Sequence, residues 1–305
     1  ITDTTIDRLY ADLVHRFDYI TVGYGEVNKT LQTVQGVYTR LMELGADRST
    51  FLLGIGGGIV TDITGFVAST YMRGVDFGFI STTLLGQVDA SVGGKNGVNI
   101  ADYKNMVGTF SQPRFVIFDV DMLSTLPQRE MRAGMAEVVK AAIVGDGALF
   151  ALLEREVSPE IFERRDIIEE VVTRSVRIKL DIVERDECEH GIRRLLNLGH
   201  TIGHAIEKLT HDVNHGEAVA FGTVMVARMA CSNGLLSGND LERIVSLFES
   251  YGFKVAFSFS ADLMEAIGKD KKRENSTLHL IVPTAIGVVK DMAVTLVELE
   301  EMFNK

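Results

Sequence analysis

Hydrophobic residues in the first part of the chain, up to Thr125, form short runs that alternate with a stretch of helical spacing. The apolar runs that indicate buried strands cover residues 51–55, 75–81 and 115–119. Between the first two runs, apolar positions from Ile59 to Val67 recur at the period of a helix. Strands that alternate with helices form parallel sheets, so the pattern predicts a Rossmann-like α/β domain over residues 1–125.

The pattern changes near Leu126, from where long stretches carry apolar residues at helical spacing. These stretches cover residues 131–144, 161–184, 195–209, 215–233 and 240–251. Near the end of the chain, the segment HLIVPTAIGVVKDMAV has the composition of strands and predicts a hairpin. We therefore expect residues 126–305 to form a second, mainly α-helical domain.

The charge and composition of the chain argue against several classes of protein and partner. The formal net charge of −11 argues against nucleic acid, because phosphate backbones are bound by basic surfaces. No apolar run approaches the ~20 residues of a membrane-spanning helix, which argues against a membrane protein. Cys188 and Cys231 are too few and too far apart for a disulfide framework, which favours a reducing cytoplasm. The chain starts at Ile1 without a signal-peptide layout, and we expect the first strand of the sheet to be cut off before it.

A glycine turn joins the first predicted strand to its helix. Gly56, Gly57 and Gly58 would let the backbone approach a ligand closely, and the following helix N-terminus presents free N–H groups to a phosphate. The spacing is not G-x-G-x-x-G, so a tight turn without a ligand is the alternative. Asp62, in the first turns of the helix, could complement the helix dipole or reach a ribose hydroxyl.

Several cationic side chains stand in unusual surroundings. Lys95 and Lys104 occur in glycine- and asparagine-rich segments that we expect to be loops, Arg73 follows a helix, and Lys140 ends the helical segment AEVVK. Such segments bring ammonium groups and backbone N–H groups together, which suits an anionic small molecule. The alternative is that each is an ordinary solvated charge.

Histidines and a glutamate suggest a metal site. Glu137 lies three residues before Lys140, on the same helix face, and His200 and His204 lie four apart in LLNLGHTIGHAIE. With His215, they offer the two histidines and one carboxylate of a catalytic zinc site, and spacing alone would give both His200 and His204 to the metal. The alternative is a pair of core histidines. Glu217 could be a further carboxylate ligand or an acid in the first turn of a helix.

These features lie in segments that resemble the 3-dehydroquinate synthase family, the NAD- and metal-dependent sugar phosphate cyclases of the shikimate pathway. The resemblance runs from ITD at the start to DKK at 270–272. Its segments are GEVNKTL, GGGIVTDITGF, STTLLGQVDASVGGKNGVN, KNMVGTFSQP, AEVVK, RRLLNLGHTIGHAIE and HGEAV. Several of them are long and chemically unusual, so the resemblance is specific.

The resemblance implies that NAD binds the first domain. The contacts carried over to this chain are Asp3, Glu26, Lys29, Gly57, Gly58, Ile59, Asp62, Thr82, Thr83, Asp89, Lys104 and Thr125. Asp89 would lie between the cofactor and the substrate. If the strand before Ile1 were absent, Asp3 would lose its anchor and NAD affinity would fall.

The resemblance also implies a metal- and substrate-binding second domain. One Zn²⁺ or Co²⁺ ion would be held by Glu137, His200 and His215, while His204 is kept for proton transfer and Glu189 is a second acid or base. Lys95 and Lys140 would act in both catalysis and substrate binding. The substrate contacts carried over are Arg73, Asp89, Lys95, Asn105, Lys140, Lys179, Arg193, Asn197 and one of Lys271 and Lys272.

The implied activity is the conversion of 3-deoxy-D-arabino-heptulosonate 7-phosphate to 3-dehydroquinate and phosphate. It proceeds by transient oxidation by NAD, β-elimination of phosphate, re-reduction and intramolecular aldol closure, in a cytoplasmic enzyme that is usually a homodimer. Another sugar phosphate cyclase is an alternative, although Lys179, Arg193 and Asn197 match the dehydroquinate synthase pattern where such relatives tend to differ. A metal-dependent glycerol- or polyol-type dehydrogenase and a non-catalytic NAD-binding regulator are further alternatives.

Overall fold

The computed structural model describes residues 1–101, 103–210, 212–255, 261–271 and 277–304. It divides into two compact units, Ile1–Glu130 and Met131–Lys305. No helix within these described ranges is both long and apolar enough to cross a membrane. The assignment of NAD to the first domain, and of metal and substrate to the second, stays a prediction.

Unit 1 is built on a five-stranded parallel sheet with the strand order β2-β1-β3-β4-β7. Its elements are β1 (Thr2–Asp3), α1 (Thr4–Leu9), α2 (Ala11–Val14), β2 (Thr21–Val22), α3 (Leu31–Glu43), β3 (Leu52–Gly56), α4 (Gly58–Thr70), β4 (Phe77–Ser81), β5 (Lys95–Ile100), β6 (Tyr103–Phe110) and β7 (Val116–Phe118). The three predicted strands correspond to β3, β4 and β7, and the predicted helix to α4.

The carboxyl ends of the parallel strands meet at one edge of the sheet. Asp3 at the end of β1 pairs with Val22 at the end of β2, and Gly56 at the end of β3 pairs with Ser81 at the end of β4. Each of these two pairs of strands therefore ends at the same level. Ligands of open α/β sheets bind outside this edge, where the loops that follow the strands begin. The sheet therefore brings the glycine turn after Gly56 and the residues after Ser81 to the same place.

The antiparallel pair β5–β6 corrects the prediction for Lys95 and Lys104, which lie on strands and not in loops. The glycines in this region suggested loops, yet Gly97 and Gly108 face each other across the hairpin. A Cβ on Gly108 would lie 2.5 Å from the carbonyl oxygen of Asn96. Glycine is thus required by the close approach of the two strands.

Unit 2 is mainly helical, as predicted, and its first helix begins in the last residues of unit 1. Its elements are α5 (Gln128–Gly145), α6 (Gly147–Arg155), α7 (Arg165–Val183), α8 (His200–Leu209), α9 (His215–Ser232), α10 (Gly238–Ser250), α11 (Ala261–Lys271), β8 (Leu278–Ala285), β9 (Val288–Val294) and α12 (Leu296–Phe303). The strands β8 and β9 pair antiparallel, so the predicted hairpin is present. The predicted fold class, a parallel α/β sheet followed by a helical part, is confirmed.

The predicted helix over 195–209 is wrong in its first five residues. Residues Ile192–Asn197 form a 3₁₀ helix, and α8 begins only at His200. Gly199, with φ of +77°, separates the two helices in the left-handed region that favours glycine. The apolar spacing continues across this position, which is why it resembles one helix.

Glycines also bring α8 and α9 close together. A Cβ on Gly222 of α9 would lie 2.0 Å from the carbonyl oxygen of Gly199, and a Cβ on Gly203 of α8 would lie 2.9 Å from the carbonyl oxygen of Ala218. This close approach fixes the distance between the first residue of α8 and the first residue of α9, which are His200 and His215.

We expect Gly222→Ala to destabilise the protein by about 3 kcal/mol, because the added methyl group forces α8 and α9 apart. Denaturant unfolding of the metal-free protein measures this loss. Gly238→Ala is the matched control, because a Cβ there meets nothing within 4 Å at the start of α10. Equal stability of the two variants would show that α8 and α9 accept a wider spacing.

Candidate metal centre and nucleotide site

Three side chains of unit 2 converge in a cluster that could hold a metal ion. Glu137 lies within α5, and His200 and His215 are the first residues of α8 and α9. One ligand atom from each lies within 4.8 Å of the other two. The Glu137 Oε1 atom is 3.2 Å from Nε2 of His215 and 3.7 Å from Nε2 of His200. Both imidazoles therefore direct the same nitrogen at one carboxylate.

The other nitrogen of each imidazole faces an acceptor. His200 Nδ1 is 3.2 Å from the carbonyl oxygen of Leu198, and His215 Nδ1 is 3.7 Å from Oε1 of Glu207. An acceptor beside Nδ1 favours the tautomer that keeps a lone pair on Nε2, the arrangement found behind metal-bound histidines. The donor set of two nitrogens and one oxygen fits a divalent ion such as Zn²⁺ or Co²⁺.

A buried lysine completes the electrostatics of the cluster. Lys140, one helical turn after Glu137, forms an ion pair with Oε2 of Glu137, and both side chains are buried. Burial raises the pKa of Glu137, but the Lys140 ammonium and the His215 imidazole outweigh it and hold that pKa well below its usual range. Glu137 is thus a carboxylate with one oxygen toward Lys140 and the other toward the histidines.

The two histidines differ in protonation in the absence of a metal ion. Burial and the charge of Lys140 lower the pKa of His200 to about 3, so its imidazole is neutral. Burial also lowers the pKa of His215, but the carboxylates of Glu137 and Glu207 raise it to about 10. A metal ion that binds here therefore displaces a proton from His215.

The spacing of His200 and His204 suggested that both bind the metal, but the converging group contains His200 and not His204. The exposed His204 ring is perpendicular to that of His200, with the ring centroids 5.3 Å apart. Glu217 forms a capping box with Asn214 at the start of α9, so of its two interpretations the first-turn helix acid is correct.

The segment before α8 carries three more predicted site residues. Asn197 donates a 2.5 Å hydrogen bond to Oε1 of Glu189, and the buried Arg193 guanidinium donates to the carbonyl oxygen of Glu187. Glu189 has a φ of +61°, which is uncommon for a residue other than glycine. An acid, a cation and an amide thus lie close together along this segment.

The remaining predicted residues of unit 2 lie on helices. Lys179 is half-buried on α7. Lys271 is the last residue of α11, and Lys272 lies outside the described residues. The choice between these two lysines stays open.

The glycine turn of unit 1 has the geometry of an anion site. Gly57 caps α4 without a side-chain hydrogen bond, and Gly58 and Ile59 are the first residues of the helix. A Cβ on Gly57 would lie 2.8 Å from the Thr83 side chain, and one on Gly58 2.9 Å from that of Ala90. Packing against these side chains therefore requires glycine at both positions. A helix start of this kind presents backbone N–H groups that suit a phosphate.

Two hydroxyl groups lie at the carboxyl end of β4, at the same edge of the sheet. Among the described residues, the buried Oγ of Ser81 and Oγ1 of Thr82 have no hydrogen-bond partner. Thr83 Oγ1 accepts a 3.0 Å hydrogen bond from the Gly86 N–H. Buried hydroxyls without a partner, beside a helix start whose cap makes no side-chain hydrogen bond, fit a bound phosphate-containing cofactor.

A buried lysine contacts two other predicted site residues, Asp62 and Asn105. The Lys29 ammonium forms an ion pair with Asp62 of α4 and donates a 2.6 Å hydrogen bond to Oδ1 of Asn105. Asn99 donates to Oε1 of Glu26 at 2.7 Å and accepts from the Asn105 N–H at 2.9 Å. Asp62 therefore has a specific cationic partner beyond the helix dipole. Asn99 was not predicted, because a single Asn in a strand carries no distinctive signal.

Two predicted NAD contacts have structural hydrogen bonds. The Asp3 carboxylate caps α1 by accepting from the N–H groups of Thr5 and Ile6, so Asp3 is anchored. Thr125 forms a 2.9 Å hydrogen bond between its hydroxyl group and that of Tyr10.

The other predicted residues of unit 1 lie on different elements. Asp89 lies in a π-helical turn, Gly86–Ala90, a feature frequent at functional sites. Lys95 starts β5 and the exposed Lys104 lies in β6. Arg73 lines a surface pocket with Asp47, Arg48, Ser49 and Met72, none of which was predicted as a site residue.

Lys29→Met is expected to weaken NAD binding more than tenfold, because the buried charge that holds Asp62 and Asn105 in place is removed. Isothermal titration with NAD⁺ measures the change. Arg40→Met is the control, since its exposed ion pair with Glu43 contributes at most ~1 kcal/mol to stability. Unchanged NAD affinity in Lys29→Met would contradict the role of this network.

Unit 1 has a glycine turn at the edge of a parallel sheet, and unit 2 has a cluster of two histidines and one glutamate among helices. Together these features define a class of two-unit proteins with residues suited to a nucleotide and a metal ion. The chain belongs to the 3-dehydroquinate synthase family. The family model for the N-terminal part of 3-dehydroquinate synthase matches residues 19–133, and that for the C-terminal part matches residues 134–273. The family predicted from the sequence is therefore confirmed.

Individual relatives agree with this family. The 3-dehydroquinate synthase of Nostoc punctiforme is 42% identical over 276 residues, which are 88% of this chain and 76% of that protein. A structure of 2-epi-5-epi-valiolone synthase from Streptomyces hygroscopicus with NAD⁺ and Zn²⁺ bound has a TM-score of 0.89 and 30% identity, over 99% of this chain and 88% of that one. A structure of 2-deoxy-scyllo-inosose synthase complexed with carbaglucose-6-phosphate, NAD⁺ and Co²⁺ has a TM-score of 0.87 and 25% identity, over 99% of this chain and 88% of that one.

Proposed function

We propose that this chain is a lyase that converts 3-deoxy-D-arabino-heptulosonate 7-phosphate to 3-dehydroquinate and phosphate, with NAD and one divalent metal ion. The observation that supports its chemistry most directly is the convergence of Glu137, His200 and His215. The specific substrate is supported by the relatives that are about 40% identical over most of the chain, which are named 3-dehydroquinate synthase.

The overall reaction is redox-neutral, because the hydride removed from carbon 5 of the substrate is returned in a later step. In between, a proton leaves carbon 6 and the bond from carbon 7 to the phosphate oxygen breaks. After the hydride has been returned, a new carbon–carbon bond closes the ring. When bound, NAD would supply the hydride acceptor and donor, and the metal ion would supply an electrophile for substrate oxygens. The remaining work of proton transfer and anion binding falls to the side chains of the chain.

Lys140 has a role that its substrate-binding prediction did not include. Its ammonium is in contact with Oε2 of Glu137, so it keeps that carboxylate ionised and orients Oε1 toward the histidines. Any direct contact between Lys140 and the substrate adds to this role.

Proton transfer is proposed for His204 and Glu189. The exposed imidazole of His204 lies beside His200, so it can exchange protons with a substrate bound at the metal. Glu189 is held by Asn197 on the segment that also carries Arg193. The guanidinium of Arg193 supplies a fixed positive charge for the carboxylate or the phosphate of the substrate.

The proposal is tested by mixing the protein with Zn²⁺ or Co²⁺, substoichiometric NAD⁺ and the heptulosonate phosphate. Free phosphate and the absorbance at 340 nm are followed together. We expect many phosphates released for each NAD supplied, without lasting accumulation of NADH. Mass spectrometry of the carbocyclic product identifies 3-dehydroquinate.

Two other results would reject this function. Turnover of a different sugar phosphate, with none of the heptulosonate phosphate, would assign the chain to another cyclase such as those its solved neighbours represent. Metal-dependent, stoichiometric NADH formation from a simple polyol, without phosphate release, would assign it to the dehydrogenases.

A further inference from the structure

The segment from Asp186 to Asn197 follows α7 and precedes α8, and we call it the 186–197 segment. It carries Glu189, Arg193 and Asn197, for which proton transfer and anion binding are proposed. The 3₁₀ helix Ile192–Asn197 covers only its second half. The conformation of its first half therefore needs another cause.

The carboxylate of Asp186 accepts hydrogen bonds from three backbone N–H groups of this segment. Oδ1 accepts from His190 at 2.9 Å, and Oδ2 accepts from Gly191 at 2.7 Å and from Arg193 at 3.0 Å. Closely spaced N–H groups that point at one anion form the kind of concavity that elsewhere binds phosphate. Here the anion is a side chain of the segment itself.

This arrangement fixes the functional residues from both sides. The Glu189 N–H donates to the Asp186 carbonyl oxygen at 3.5 Å, and the N–H groups of the next two residues, His190 and Gly191, donate to the Asp186 carboxylate. Hydrogen bonds on both sides of Glu189 therefore hold its left-handed conformation. The Arg193 N–H bonds to the same carboxylate, while the Arg193 guanidinium is buried against the Glu187 carbonyl. One carboxylate thus determines where an acid and a cation lie.

Helix stability does not explain the presence of Asp186. Its N–H closes the last turn of α7 by donating to Ile182 and Val183, so its negative charge lies near the carboxyl end of that helix, where anions are disfavoured. The pKa of Asp186 is lowered to about 2 by the hydrogen bonds from Arg193, His190 and Gly191, so it is fully ionised at neutral pH. The carboxylate acts on the segment that follows, rather than on the helix before it.

We propose that Asp186 is a positioning residue that holds Glu189 and Arg193 in their working geometry through three backbone hydrogen bonds. The inference rests on the proposed function. It requires that losing the carboxylate impairs substrate handling while leaving the metal cluster intact, because Glu137, His200 and His215 all lie outside the segment.

The test compares Asp186→Ala and Asp186→Asn with the wild type and with Asp181→Asn, which changes an exposed carboxylate on α7. Asparagine keeps one carbonyl acceptor, so it can satisfy only part of the set. We expect kcat/KM for the heptulosonate phosphate to fall ~100-fold in Asp186→Ala, the effect of misplacing reacting groups by about 1 Å. Asp186→Asn should be intermediate, with both kcat and KM changed, and Asp181→Asn unchanged.

Two readouts separate this role from general damage to the fold. Co²⁺ affinity, followed by visible absorption, should be the same in all four proteins. Amide hydrogen exchange at His190, Gly191 and Arg193 should accelerate in the Asp186 variants only. If Asp186→Ala does not fold, Asp186→Asn provides the same comparison.

Wild-type kcat/KM in Asp186→Asn together with unchanged exchange would overturn the proposal, as would a parallel loss of Co²⁺ affinity. Failure of the proposed function is seen separately, as absence of turnover in the wild type. In that event, hydrogen exchange and the binding of inorganic phosphate to wild type and variants decide on Asp186. Unchanged exchange and unchanged phosphate affinity overturn its role, and faster exchange together with weaker phosphate binding supports it.

Discussion

His200→Ala is expected to lose the metal ion and turnover together. Removing this imidazole leaves two of the three converging ligands, Glu137 and His215. The loss of metal affinity should exceed the ~100-fold that removal of a partner behind a ligand costs. Titration with Co²⁺ gives the affinity, and phosphate release at saturating metal gives the turnover.

His204→Ala is the matched control, because it removes the other histidine of the same helix. We expect it to bind Co²⁺ as the wild type does and to turn over ~10²–10⁴-fold more slowly, the usual contribution of a general acid or base. A His204→Ala protein that has lost the metal, or a His200→Ala protein that keeps it, would contradict the assignment of one ligand and one acid–base residue.

Lys140→Met has the second largest expected effect. It leaves the buried carboxylate of Glu137 without its ammonium partner, and breaking one side of a buried ion pair costs ~3–5 kcal/mol. The metal-free variant should therefore unfold at much lower denaturant than the wild type. A divalent ion can replace the missing charge, so metal should restore more stability to the variant than it adds to the wild type, without restoring turnover.

The exposed Lys290 of β9 provides the control for this prediction. Lys290→Met should change the free energy of unfolding by no more than ~0.5 kcal/mol, with or without metal. If Lys140→Met is as stable as Lys290→Met in the absence of metal, Glu137 does not depend on Lys140 for its charge.

The parts of the fold that the sequence predicts well are those where one physical effect dominates. The strand β3 and the helix α4 are buried and apolar, so burial sets both their positions and their periods. The hairpin β5–β6 was missed because its glycines serve strand packing, whereas glycine is more often found in turns. The helix predicted over 195–209 began too early, because an isolated glycine in a helical pattern costs only ~1 kcal/mol, so Gly199 did not indicate a break.

In the candidate site, too, some residues could be predicted from the sequence and others could not. Glu137, His200 and His215 could be predicted as candidate ligands, because metal ligands must be particular side chains, although spacing alone also gave His204 to the metal and only the family resemblance excluded it. The groups behind them could not, since His200 faces the carbonyl oxygen of Leu198, and a backbone carbonyl leaves no trace in the sequence. The role of the Asp186 carboxylate could not be predicted either, because its partners are backbone N–H groups, which every residue except proline possesses.

The left-handed Gly199 has an evolutionary consequence. A continuous helix over 195–209 would couple each change in the 186–197 segment to a rotation of His200 about the helix axis. Because the helical geometry is interrupted at Gly199, insertions and replacements upstream can be absorbed before α8 begins. Changes in the segment that carries Glu189, Arg193 and Asn197 can therefore leave His200 in place, and this chain shares its fold with synthases named for different carbocycles.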